Sequence, residues 1–344
     1  MSKTKRIDLA LQGGGSHGAF TWGVMDRLLE DDRIEIEGIS GTSAGAMNGV
    51  VMADALTRGD RDTARQALHD FWEAVSHAGK ASPIQRTPMD KLMGNWSLDH
   101  SPGYIAMDLM SRLVSPYQLN PFDLNPLRDI VRERVDFERV RQCEDLKLFV
   151  TATNVRSGKQ RIFSREEMSV DAVMASACLP TVFKAVEIDG EAYWDGGYMG
   201  NPSLMPLMEN CGSRDIVVVQ INPIYREELP TSASAIMNRL NEITFNAALI
   251  KEVRMIAMLQ RLLGDHGVDI GCFGGTLFHR IAGDDTLGKL SVSSKLNSEW
   301  PFLCYLRDEG RRTADEWLAE NFKDLGSRST LDVESVYQDT EAPR

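Results

Sequence analysis

The sequence predicts an α/β fold, with a central, mostly parallel sheet and helices on both faces. Three stretches carry that expectation. Ile7 to Gln12 reads as a buried first strand that enters a glycine-rich loop, Gly13-Gly14-Gly15-Ser16-His17-Gly18, and then a helical pattern from Ala19 to Glu30. Ile34, Ile36 and Ile39 form a second run, which ends in Gly41-Thr42-Ser43-Ala44-Gly45 and passes into a small-residue helix from Ala44 to about Leu56. Ile216 to Ile221 is a solid apolar run broken only by Gln220, as expected of a strand covered on both faces.

Size and charge bound the function. A chain of 344 residues can bury roughly three quarters of its unfolded surface, so it needs no disulfide or metal staple. Lys and Arg number 38 against 50 Asp and Glu, a net charge of −12. That balance argues against a nucleic-acid partner and against electrostatic docking on anionic lipid, while leaving a neutral or micellar ester open. The five cysteines (Cys143, Cys178, Cys211, Cys272 and Cys304) are odd in number and widely spaced, which fits a reducing compartment. The sequence has no signal-peptide apolar core and no stretch of about 18 uninterrupted apolar residues. A soluble cytoplasmic protein is expected, with transient contact at a membrane surface left open. The oligomeric state is not legible.

The first loop has several readings. Gly13, Gly15 and Gly18 satisfy a dinucleotide-binding G-x-G-x-x-G, with Glu35 and Glu37 about where a ribose-binding acid belongs. Gly13 to Gly18 also has phosphate-loop spacing, but Ala19-Phe20 stands where Lys-Ser/Thr is required, which rejects that reading. A plain glycine turn is a third possibility. In the fourth, the loop amides converge on a developing oxyanion at a helix N-terminus. Only this last reading predicts a Gly-x-Ser-x-Gly at the next strand end, because adjacent parallel strands put both loops on one rim. That pentapeptide forces a sharp turn that pushes the Ser43 hydroxyl out over the following helix N-terminus. Ser43 is therefore read as a nucleophile.

Farther along, Gly59 in Arg58-Gly59-Asp60 caps the nucleophile helix. Ala64, Leu68, Phe71, Trp72 and Val75 form a helical core stripe, and His69 and His77 on that helix have no metal-ligand context. From 80 to 126 the chain is rich in proline and apolar residues, Met89, Met93, Met107 and Met110 among them. This segment is either a cap or lid over an acyl pocket or an insertion packed permanently on the core. Asn125-Pro126 opens a helix, Lys147 to Thr153 and Gln160 to Phe163 read as strands, and Val170 to Ala177 as a helix. Ser176 there is a rival serine without flanking glycines. Asp189-Gly190 joins two short strands as a hairpin. Asp195-Gly196-Gly197 ends the second strand, where the glycines free the backbone to aim a carboxylate inward. Ala235 to Leu263 and part of Leu303 to Phe322 read as helices, and the polar stretch from Gly326 is expected to fray.

Gly13-Gly14-Gly15-Ser16-His17-Gly18, Gly41-Thr42-Ser43-Ala44-Gly45 and Asp195-Gly196-Gly197 together resemble the three signatures of the patatin-like phospholipases, over roughly Ile7 to Asn222. The resemblance implies a patatin-like three-layer fold with a nucleophile elbow, and hydrolysis of carboxylic esters of lipids. It implies Ser43 and Asp195 as a dyad without histidine. The amides of Gly13, Gly14, Gly15 and Ala44 would supply the oxyanion hole, and Gly18, Gly41, Gly45, Gly196 and Gly197 would shape the motifs. The expected organisation is a catalytic domain over 1–230 with a cap or lid insertion near 80–126, a helical extension over 231–325 packed on it, and a flexible tail over 326–344. His17 departs from the family, which usually carries Lys or Arg there; a loop-packing or surface role is expected for it.

Rival chemistries follow from the same residues. Ser43, Asp195 and either His266 or His279 have the chain order of an α/β-hydrolase triad, although the elbow arrives after only two strands. An NAD(P)-binding oxidoreductase would use Gly13 to Gly18. An ester hydrolase acting on hydroxy-acid oligomers and a non-catalytic lipid binder are also compatible. No cofactor and no metal are expected, so activity should not depend on calcium.

Overall fold

The strand β1 (Lys5–Leu11) is buried from Ile7 onward and lies between β2 (Ile34–Gly41) and β7 (Asp215–Gln220), both parallel to it. This computed structural model describes residues 4–264 and 271–337. The other strands are β3 (Lys147–Asn154), β4 (Gln160–Ser164), β5 (Val186–Ile188), β6 (Glu191–Asp195) and β8 (Leu277–Ala282). They join one sheet in the order β5-β6-β3-β2-β1-β7-β8, with β4 added on β3. β2–β3 and β7–β8 are also parallel; β4 and β6 run antiparallel to β3, and β5 to β6.

Alternation along the central strands produces the layers. Ile7, Leu9 and Leu11 of β1, with Val217 and Val219 of β7, face one core that includes the first three long helices, α1 (Gly18–Glu30), α2 (Ala44–Arg58) and α3 (Arg61–Gly79). Ala10, Ile216 and Val218 face a second core with Leu249, Val253 and Ile256 of the Ala233–Gly264 helix. The apolar run Ile216 to Val219 in β7 is thus a strand sandwiched between two helical layers, as its composition requires. The side chain of Leu263, at the end of that helix, lies outside the described residues.

α1 packs against the Trp300–Asn321 helix at backbone distance. A Cβ on Gly23 would collide with the Arg307 backbone, and one on Gly310 with the carbonyl of Phe20. Neither obstacle is a side chain that can swing away. Gly310→Ala is therefore expected to lower stability by about 2–3 kcal/mol despite alanine's better helix propensity, measured as a drop in the urea midpoint.

Two parts of the C-terminal region differ from the sequence expectation. β8 interrupts what read as a helical extension; its buried apolar residues Phe278 and Ile281 are three apart with His279 beside them, so no period of two is visible. The stretch from Gly326 is also held as far as Tyr337. The Gly326 amide donates to Asp215 Oδ1 at 2.7 Å, Leu331 is buried in the second core, and the Tyr337 hydroxyl donates to Gln220 Oε1 at 3.0 Å.

The segment from 80 to 126 is a chain of short helices, Pro88–Leu92, Pro102–Leu113 and Pro116–Leu119, each opened by proline after a capping Thr or Ser. Its base is anchored: Arg86 pairs with Glu299 at 2.6 Å, and the Leu98 amide donates to Ser293 Oγ at 2.8 Å. Its outer part exposes Ile105, Leu109, Leu113, Tyr117, Phe122 and Leu124. Among the described residues no helix is long and apolar enough to cross a membrane.

Candidate active site

Sheet register brings the two distant motifs together. β3 pairs with β2 only up to Val150, opposite Gly41. There β2 leaves the sheet through the elbow, and β6 takes the vacated edge of β3, with Asp195 opposite Ala152. β4 occupies the other edge of β3 along both stretches. Because β6 is antiparallel, its last residue points back towards the turn that β2 has just made.

Ser43 sits on that turn at φ 53° and ψ −119°, a conformation that costs a non-glycine residue about 1–3 kcal/mol. The turn is over-determined by its surroundings. Thr42 donates from N to Leu11 O and from Oγ1 to Gly200 O, and the Ser43 amide donates to Ser176 Oγ at 2.9 Å. Gly45 packs on the Leu11 backbone, and Gly41 folds against the first turn of α2. Ser176, the rival serine of the sequence, is thus fully buried and spent on holding the elbow.

The Ser43 hydroxyl is near enough to the Asp195 carboxylate to act on its titration. Asp195 is 1% exposed, and burial pushes its carboxyl up to about 7, against the Gly197 N–H and the Ser43 hydroxyl, which lower it. Its Oδ1 accepts from the Gly197 amide at 2.7 Å. Gly196 and Gly197 let this segment pass close to the Thr151 carbonyl and the Phe245 ring.

The first loop lies directly against the elbow: a Cβ on Gly13 would come 2.6 Å from the Cβ of Ser43, and one on Gly18 would press on Ala44. One expectation is corrected here. The Gly13 amide is not free to face an oxyanion, because it donates to Asn201 Oδ1 at 2.6 Å. The amides of Gly14, Gly15 and Ala44 have no such partner among the described residues. Gly13 is a spacer, and an amide network that sequence reading missed holds it. Gln12 Oε1 accepts from the Ile221 and Asn222 amides, and Asn222 Nδ2 donates to the Gly13 carbonyl at 2.8 Å.

His17 is fully buried and packs the loop, with Nε2 2.7 Å from Ser294 Oγ; burial, then Lys295 and Arg226, hold it neutral by lowering its pKa well below the usual histidine value. His279 does not serve Asp195. It lies in β8 at the far end of the sheet, between Asp215 Oδ1 and Thr330 Oγ1, both at 2.9 Å. His266 lies outside the described residues. The dinucleotide reading loses its acid: Glu37 is committed to Lys147 and to the Gly212 and Ser213 amides, and Glu35 to Arg6. Among the described residues, His69, Asp70 and Glu73 are close enough to share a metal, but His69 packs on Trp22 and Trp300, and Asp70 accepts from Gln66.

A strained serine at a strand–helix turn, a buried carboxyl group on the adjoining hairpin and a glycine loop against the turn make up the candidate site, on an α/β fold. Residues 9–208 match the patatin-like phospholipase family, and the chain belongs to that family. At the level of the family it is a lipid acyl hydrolase. Among solved structures it is similar to VipD from Legionella pneumophila, with 14% identity and a TM-score of 0.43 over 98% of this chain and 73% of that one. It is also similar to ExoU from the type III secretion system of Pseudomonas aeruginosa, with 14% identity and a TM-score of 0.42 over 94% of this chain and 53% of that one. The chain thus spans about half the length of ExoU.

Proposed function

We propose that the chain hydrolyses carboxylic esters of lipids through a Ser43–Asp195 dyad. The observation that carries this reading is the pairing of a strained, hydroxyl-presenting Ser43 with a buried carboxyl poised near neutrality. A free aspartate, with a pKa near 3.9, is too weak a base at pH 7; burial without a cation brings Asp195 to where proton transfer is efficient. Asp195 takes the Ser43 proton as the oxygen attacks the ester carbonyl, and the Gly14, Gly15 and Ala44 amides receive the tetrahedral oxyanion. The proton then passes to the leaving alcohol, and water resolves the acyl-enzyme by the reverse sequence. Each well-placed donor is worth roughly 3–4 kcal/mol of barrier. The test is a panel of phospholipid, triglyceride, short-chain and hydroxy-acid-oligomer esters on wild type, Ser43→Ala and Asp195→Asn, alongside labelling by a fluorophosphonate probe. Turnover surviving in Ser43→Ala would sink the dyad.

The exposed apolar edge of the 80–126 segment supports a role in holding acyl chains. Leu109→Ser with Leu113→Ser is expected to lower turnover of micellar or vesicle-borne lipid about 10-fold, leaving a soluble short-chain ester within twofold. Equal losses on both substrates would make the segment purely structural.

A further inference from the structure

Behind the first loop lies a cationic group that the dyad chemistry does not use. The backbone of Lys295 packs on Gly15, which holds φ +58° and has no room there for a Cβ. Part of the Lys295 side chain is exposed, but its ammonium end is enclosed. Nζ donates to Asn222 Oδ1 at 2.7 Å. Glu242, Arg226 and the neutral His17 share the electrostatic surroundings of the ammonium. Glu242 is already bonded to Arg226 at 2.6 Å and Arg239 at 3.1 Å, so one carboxylate serves three cations.

The amide of Asn222 is fixed by this contact. Its oxygen turns to the ammonium, so its nitrogen must donate, and it does so to Gln12 Oε1 at 3.1 Å and to the Gly13 carbonyl at 2.8 Å. The Gly13 carbonyl and the Gly14 N–H belong to one planar peptide group. Pulling electron density through that carbonyl makes the Gly14 N–H a stronger donor, and hydrogen bonds in series reinforce one another. The chain of dipoles therefore runs from an enclosed ammonium, through one side-chain amide, to an N–H without a partner among the described residues, in the loop that packs on Ser43.

We propose that Lys295 is a positioning residue for ester hydrolysis: through Asn222 it aims and polarises the Gly13–Gly14 peptide so that the Gly14 N–H meets the tetrahedral oxyanion. This rests on the hydrolase reading above. Lys295 lies outside the matched family region, so the relay belongs to this chain's C-terminal part. Burial, opposed by Glu242 and assisted by Arg226, brings the ammonium down to about 8, so the relay weakens as pH rises through that value.

Full-length wild type, Ser43→Ala, Lys295→Met and Lys295→Arg are compared on one soluble ester, with a pH profile, a thermal midpoint and inhibition by an oxyanion-forming trifluoromethyl ketone. Lys295→Met is expected to lower kcat about 10-fold with KM within twofold, and to weaken the ketone by a similar factor. Wild type is expected to fall in activity near pH 8; Lys295→Met should lose that fall and keep the acid limb. Lys295→Arg, which retains the charge, should recover most of kcat. An active wild type matched by Lys295→Met in kcat and profile overturns the relay alone. A Lys295→Met loss that tracks the thermal midpoint, with profile and ketone affinity unchanged, overturns it as well. Wild type no more active than Ser43→Ala ends the hydrolase reading and the relay together.

Discussion

Ser43→Ala is expected to lower ester turnover by about 10⁴-fold or more and to abolish fluorophosphonate labelling, because no second hydroxyl can replace it. The neighbouring serine, Ser176, is buried and accepts the Ser43 amide, so it is not placed to attack. Ser43→Gly should be equally inactive yet more stable than wild type. The φ of 53° costs serine but not glycine, and relief of that strain should exceed the added entropy of the unfolded chain. A gain of about 1 kcal/mol in unfolding free energy, read from a higher urea midpoint with activity gone, would show that the turn holds strain for the sake of presenting the hydroxyl. A Ser43→Gly protein less stable than wild type would remove the strain argument.

Asp195→Asn should cost about 10²–10⁴-fold in kcat, the range of a lost general base, and erase the acid limb expected of wild type near pH 7. The sign follows from the raised carboxyl. Below about 7 the folded protein holds Asp195 protonated, no base is present, and activity falls. The same shift acts on stability. Between the unfolded value of 3.8 and about 7 the native state binds the extra proton, so stability declines as pH rises through that window. Keeping the buried carboxylate ionised at pH 8 costs on the order of 4 kcal/mol, which asparagine does not incur. Asp195→Asn should therefore be the more stable protein at pH 8 and close to wild type at pH 4, as read by thermal midpoints. An unchanged acid limb in the variant would assign the base to another group.

The inactive pair should not be additive. If Ser43 and Asp195 act in one step, the double variant loses no more than Ser43→Ala alone. The structural cause is their shared position at the break in β2, where neither side chain has another role in the sheet.

The sequence by itself determined the elements whose physics is local. Glycines beside a serine between an apolar run and a small-residue helix dictate an elbow, and four consecutive apolar residues in β7, Ile216 to Val219, dictate a strand covered on both sides. Asp189-Gly190 dictates the hairpin that carries Asp195. Only the tertiary structure decided which amides are free. Gly13 lost its donor role to Asn201, a partner 188 residues away, and Lys295 joined the loop through Asn222 from a segment with no motif of its own. It also decided that His17 is a neutral packing residue and that His279 belongs to Asp215. β8 escaped sequence reading because its two buried apolar residues do not alternate. Turn chemistry and hydrophobic period act between neighbours and are written in order along the chain. A buried amide or ammonium takes whatever acceptor the packed layers place beside it, and that choice exists only once the sheet has closed.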